Sequence, residues 1–192
     1  MVFKFTALDA DIDQVQIIDH YTVGEAKVYI TSTGQYLIKE PRLSQEEYEI
    51  YAKITEHLMN SLPFIDKLET DDEKIHHLET HIWQEAQDTA QVDKVSKFFD
   101  RLRYYIIREV IGYGIFDVLI NDDDVEEILA ERFDTDVGVI HRRHSEAHIL
   151  DTNIVIGKSD EMNSYVSRLM QKTGKSVNIS KPIMDGTTKA KH

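Results

Sequence analysis

Two tripeptides, Gly157-Lys158-Ser159 and Gly174-Lys175-Ser176, end the way a nucleotide phosphate loop ends. In that loop, G-x-x-x-x-G-K-[ST], backbone amides and the lysine cradle the phosphates. Neither copy has the first glycine, because Thr152 and Leu169 stand in its place. Ile154, Val155 and Ile156 fill what should be a small-residue loop, and Gly174 reads as the cap of a preceding helix. The chain therefore has no phosphate loop of its own.

Histidines and carboxylates offer metal chemistry next. His141, His144 and His148 lie close together, and His77, His81 and Glu85 follow one another at helical-turn spacing. The first trio spans a strand, a turn and a second strand, so its side chains need not converge. The second lies on a strongly polar helix and should face water. Asp122-Asp123-Asp124 with Glu126 and Glu127 suggests calcium, yet the loop D-x-[DN]-x-[DN]-G is absent and a solvated turn is the expected role. No metal ligand is assigned. No serine sits in G-x-S-x-G and there is no cysteine, so no catalytic residue is assigned either. Arg108, Arg142, Arg143 and Arg168 remain: surface ion pairs by default, or contacts to an anionic ligand or partner, which a planar guanidinium serves well.

Those side chains must be placed by short strands and amphipathic helices. Val15 and Ile17, then Ala26, Val28 and Ile30, then Tyr36 and Ile38 alternate with polar residues, the period of half-buried strands. Thr33-Gly34 supplies a tight turn, so an antiparallel hairpin is expected, ending at Pro41. Ser44 to Glu47 has the form of a capping box, followed by Tyr51, Ile54 and Leu58. Asp71 and Asp72 suit the positive end of a second helix bearing Ile75, Leu78 and Ile82. A third carries Val95, Phe98, Leu102, Tyr105, Ile106 and Val110 and stops at Gly112-Tyr113-Gly114. The three helices should pack as a bundle against the hairpin. Beyond Gly114, strands are expected at Val125–Leu129, Val137–Ile140 and His148–Leu150. A helix capped by Ser159 and a short strand near Val177 should follow.

Composition narrows the classes. The 192 residues carry 35 acidic and 22 basic side chains, a formal charge of −13 that disfavours a nucleic-acid surface. Residues 1–90 hold 18 acidic and 7 basic side chains, so the excess sits in the first half. No apolar run approaches a bilayer span, and Met1 to Asp11 lacks the pattern of a secretory signal. A cytoplasmic location is expected, with a peripheral position at the inner face of a membrane.

The order of motifs resembles the N-terminal region of archaeal type II/IV secretion ATPases, the motors of archaella, type IV pili and secretion machines. The resemblance begins near residue 36. It rests on Glu40-Pro41-Arg42-Leu43-Ser44 and on Tyr104-Tyr105-Ile106-Ile107-Arg108-Glu109 leading through Gly112-Tyr113-Gly114 to Asp117. It continues with Asp122 to Asp124, Val139-Ile140-His141-Arg142, Thr152-Asn153-Ile154, Gly174-Lys175 and Pro182 to Gly186. Val118-Leu119 replaces a usual Pro-Leu, Glu131-Arg132-Phe133 stands where a glycine is usual, and the end lacks the usual L-P-D-G-S-R run.

The resemblance implies a hexameric ring that uses ATP and Mg in a RecA-like core beyond this region. Partners would be that core, neighbouring subunits, and a membrane platform or cytosolic secretion proteins, with no nucleic acid. The fold expected is α+β: a β-hairpin with a three-helix bundle over residues 1–114, then a small α/β sandwich over 115–192. Arg108, Arg142, Arg143 and Arg168 would face nucleotide or a domain boundary, an assignment from charge and position. The chain alone should not hydrolyse ATP. The rival expectation is a free-standing acidic adaptor that binds a basic protein through residues 1–90. A third, an enzyme using a metal at His141, His144 and His148, would need a bound ion.

Overall fold

The computed structural model describes residues 7–58, 65, 67–130, 135–147 and 149–157. The fold is α+β. Three strands form an N-terminal meander, β1 (Ile17–Val23), β2 (Ala26–Thr31) and β3 (Gln35–Lys39). Helices α1 (Gln45–Leu58), α2 (Asp71–Asp88) and α3 (Val92–Val110) follow. A short helix α4 (Asp117–Asn121) then leads into β4 (Val125–Leu129), β5 (Asp136–His141) and β6 (Leu150–Val155).

Local chemistry explains most boundaries. Gly34 turns β2 into β3 at φ +81°, a conformation side chains disfavour. At α1 both halves of the capping box form: the Glu47 amide donates to Ser44 Oγ, and the Ser44 amide donates to Glu47 Oε2. An unforeseen second box, Thr70 with Glu73, opens α2. The helices share one core, in which Tyr51 and Ile54, Leu78 and Ile82, and Leu102 and Tyr105 meet.

Four expectations are corrected. The meander does not pack on the helices as a bundle would require; Val28, Ile30, Tyr36 and Ile38 enter a second core with Phe116, Leu119, Val139 and Ile154. The strands on either side of residue 114 form one six-stranded sheet in the order β1-β2-β3-β6-β5-β4. All neighbours are antiparallel except β3 and β6. In β1 the period is shifted by the edge position. Ile17 and Ile18 are exposed, and Asp19, Tyr21 and Val23 turn to the more covered side. The strand expected at 148–150 begins instead at Leu150 and runs through Ile154 and Val155, so the segment before Gly157 is a strand and not a loop.

Parallel pairing of β3 with β6 covers only Gln35 with Asp151 and Tyr36 with Thr152. Beyond it the Asn153 side chain replaces the ladder. Its Oδ1 accepts from the Ile38 amide and its Nδ2 donates to the Ile38 carbonyl, both at 2.8 Å. A side-chain amide presents a donor and an acceptor in the spacing of a peptide group, so it meets the buried Ile38 amide and adds a second donor to a carbonyl that also accepts from the Ala10 amide at 3.2 Å. The expected helix after Ser159 and strand near Val177 lie outside the described residues.

Candidate functional site

The sheet curls until β1 reaches the turn before β4 and the end of β5. Asp122 leaves α4 in an extended conformation, and its Oδ1 accepts from the Asp124 amide at 2.9 Å, a side-chain turn that aspartate favours. Pairing of β4 with β5 sets His141 opposite Val125, beside that turn. Tyr21 from β1 and Tyr36 from β3 both donate to Asp122 Oδ2, at 2.6 and 2.7 Å. The Tyr21 oxygen is also 2.9 Å from His141 Nε2. With its one proton spent on Asp122, Tyr21 must accept there, which fixes the neutral His141 ring with its proton on Nε2. Nδ1 then carries a lone pair, and it is buried without a hydrogen-bond partner among the described residues.

The electrostatics follow from burial. Asp122 is 7% exposed and His141 only 1%. Burial holds the His141 ring below the usual histidine range, against the pull of Asp122. Burial, reinforced by Asp122, pushes the Tyr21 and Tyr36 hydroxyls above the ordinary phenol value, so both stay protonated donors. At the rim, Arg143 Nε lies 2.6 Å from Asp124 Oδ2 and Nη1 lies 3.1 Å from Asp19 Oδ2, with the guanidinium over the Tyr21 ring. His144 Nε2 is 3.0 Å from the same Asp19 oxygen, and that hydrogen bond lowers the Asp19 carboxyl. Asp122, Asp124 and His141 each bring a possible ligand atom to within 4.8 Å of the others.

A second polar cluster joins the helices to the sheet. Arg108, on α3, is buried with both Nη1 contacts to the Glu40 carboxylate at 2.7 Å and Nη2 at 2.6 Å from Glu109 Oε1. Tyr104 donates to Glu40 Oε1 and the Leu8 amide to Oε2, while Tyr105 donates to the Pro41 carbonyl. Burial works against the Arg108 charge, but Glu40 and Glu109 outweigh it and raise its proton affinity. Beside this cluster a cleft of about 330 Å³ runs between α3, α4 and the β1–β2 turn, lined by Glu25, Asp100, Arg103, Tyr104 and Asp117 among others. Burial pushes the Asp117 carboxyl up, although the Tyr113 amide donates to it at 2.9 Å. Gly112 makes this possible: a methyl group there would strike the Asp117 carboxylate and stand 2.8 Å from the Arg108 carbonyl oxygen.

The four arginines singled out from sequence separate. Arg108 is an interior ion pair, not the surface pair expected by default. Arg142 is exposed and pairs with Glu126 at 3.2 Å, and Arg143 belongs to the rim just described. Arg168 lies outside the described residues, as do His148, Lys158 and Gly174. The Asp122–Asp124 run, expected as a solvated turn, is buried at Asp122. His141 and His144 do converge, with ring centres 5.0 Å apart. His77 and His81 have ring centres 4.1 Å apart, tilted by 42°, and are half-buried, contrary to the expected solvent-facing pair, and Glu85 is turned to His57 at 2.5 Å. Sequence reasoning missed Asp19, Tyr21 and Tyr36 as site residues. Only the shared side of Asp19, Tyr21 and Val23 along β1 hinted at it.

Comparison with known proteins comes to rest on archaeal relatives. No family model matches the chain. It is similar to the uncharacterized protein MJ1288 of Methanocaldococcus jannaschii, 29% identical over 182 residues, which is 92% of this chain and 71% of that protein. It is also similar to the uncharacterized protein MJ0781 of the same organism, 27% identical over 94 residues, 49% of this chain but 12% of that protein.

Proposed function

We propose that this chain is the N-terminal assembly and partner-docking region of a hexameric secretion, pilus or archaellum ATPase. It moves against an ATPase core so that hydrolysis there drives secretion or filament assembly. The observation that carries the reading is the Glu40–Arg108 joint. Two of the segments on which the resemblance rests, Glu40-Pro41 and Tyr104 to Asp117, meet in one buried network through residues 68 positions apart in sequence. That network ties a helical unit to a sheet, the arrangement a docking region needs to transmit a push as a rigid body. A stretch similar to half of this chain forms a small share of the far longer MJ0781, which fits a module that serves a larger machine. Residence in the cytoplasm at the inner face of a membrane belongs to the same proposal. Among the described residues, no helix is long and apolar enough to cross one.

The test is to tag the protein at its own locus, isolate it from its host and determine what polypeptide or complex holds it. A product that contains G-x-x-x-x-G-K-[ST] and hydrolyses ATP is expected. Isolation with a basic partner and no ATPase would favour the adaptor reading. One observation speaks for that rival: Glu49, Glu56, Asp72 and Asp88 are exposed on the helical unit, where the acidic excess lies.

A further inference from the structure

The Asp122 carboxylate is nearly enclosed and has no lysine, arginine or histidine nitrogen at ion-pair distance among the described residues. Two tyrosine hydroxyls and one amide are its partners. Neutral donors orient a carboxylate but leave its charge in place, and a buried charge calls for a cation. Next to it are a second carboxylate, Asp124, and an imidazole whose Nδ1 is buried and unmet. The two aspartates are fixed by the turn that Asp122 itself closes, and His141 is fixed by strand pairing. The constellation is therefore pre-arranged by backbone, with no dependence on a long flexible side chain.

We propose that Asp122, Asp124 and His141 form a binding site for a first-row divalent transition-metal ion. Donor chemistry selects that class. Calcium takes six to eight oxygens and magnesium keeps an octahedral shell of oxygen and water, whereas one imidazole with two carboxylates suits Mn²⁺, Co²⁺ or Zn²⁺. Tyr21 and Tyr36 hold Asp122 in position from β1 and β3, as outer partners commonly do for metal-binding carboxylates. Arg143, half-exposed, occupies Asp124 Oδ2 and gives way as the ion enters. The bound ion would pin the end of β5 and the turn before β4 to residues held by the N-terminal meander. This site is independent of the secretion-motor reading and of the Glu40–Arg108 joint.

The experiment strips the purified protein with a chelator and titrates it with Co²⁺, followed by visible absorption and calorimetry. One ion per chain is expected, with a rise in the thermal midpoint, since an ion that binds only the folded state stabilises it. Asp124→Asn, a half-exposed position, should weaken binding by roughly tenfold or more while leaving the far-ultraviolet circular dichroism unchanged. A His77→Asn/His81→Asn double variant should bind as before. Substoichiometric Mn²⁺ should broaden the amide resonances of residues 121–125 and 140–144 before any others, a readout that needs no variant. Absence of saturable one-to-one binding, loss of it in the His77/His81 variant, or broadening centred elsewhere would overturn the proposal.

Discussion

Glu40 and Arg108 depend on each other for charge balance, because both side chains are almost wholly withdrawn from water. Arg108 also balances the buried Glu109, so removing Arg108 leaves two carboxylates buried and uncompensated, which costs about 3–5 kcal/mol. Arg108→Met should therefore lower the urea midpoint severely. Arg142→Ala, which breaks only the exposed pair with Glu126, should cost under ~1 kcal/mol. Asp117 makes a prediction of the opposite sign to the usual carboxylate. Its folded proton affinity is raised by burial, so the native chain binds that proton more tightly than the unfolded chain does. Its contribution thus favours folding at low pH and is lost as pH rises through the folded pKa. Stability compared between Asp117→Asn and the parent should shift toward the variant as pH rises across that window. A constant difference from acid to neutral pH would contradict it.

At the scale of elements, the Asn153 clamp and the Gly112 turn govern how pieces meet. Ile38 is wholly buried, so Asn153→Ala strands its amide, while its carbonyl keeps only the Ala10 amide at 3.2 Å. Unmet buried groups cost about 1–3 kcal/mol each, and chemical denaturation should report a loss of that order or more. Gly112→Ala has to push the Asp117 carboxylate aside and is squeezed against the Arg108 carbonyl; overpacking of this kind costs about 1–3 kcal/mol. The sequence marked both places without giving the reason. Gly112-Tyr113-Gly114 was legible as a helix stop, but its closeness to Asp117 depends on where α4 turns back. The helical stripes and the Ser44 cap were legible because their partners lie three or four residues away. The β1 face was misread, since an edge strand can leave Ile17 and Ile18 in solvent and nothing in its alternation says so.

For the whole molecule, the one sheet built from strands before and after the helices sets cooperativity. Most of the core around Tyr36 comes from residues after 114. A fragment of residues 1–114 should therefore keep helical circular dichroism yet show no protected amide hydrogens in β1–β3, whereas residues 1–157 should protect them. If the fragment protects its meander, the sheet does not depend on β4–β6. The purified 192-residue chain should not turn over ATP; turnover that disappears in Lys158→Ala would oppose the proposed function. By itself the amino-acid order determined α1, α2 and α3, the Ser44 cap and the β2–β3 turn, because each depends on neighbours close along the chain. Only the tertiary structure decided that Arg108 is interior, that the meander joins β6, and that Asp122 meets His141, Tyr21 and Tyr36. Those contacts join residues up to 120 positions apart through a parallel pairing and a curl of the sheet, and no local period encodes either.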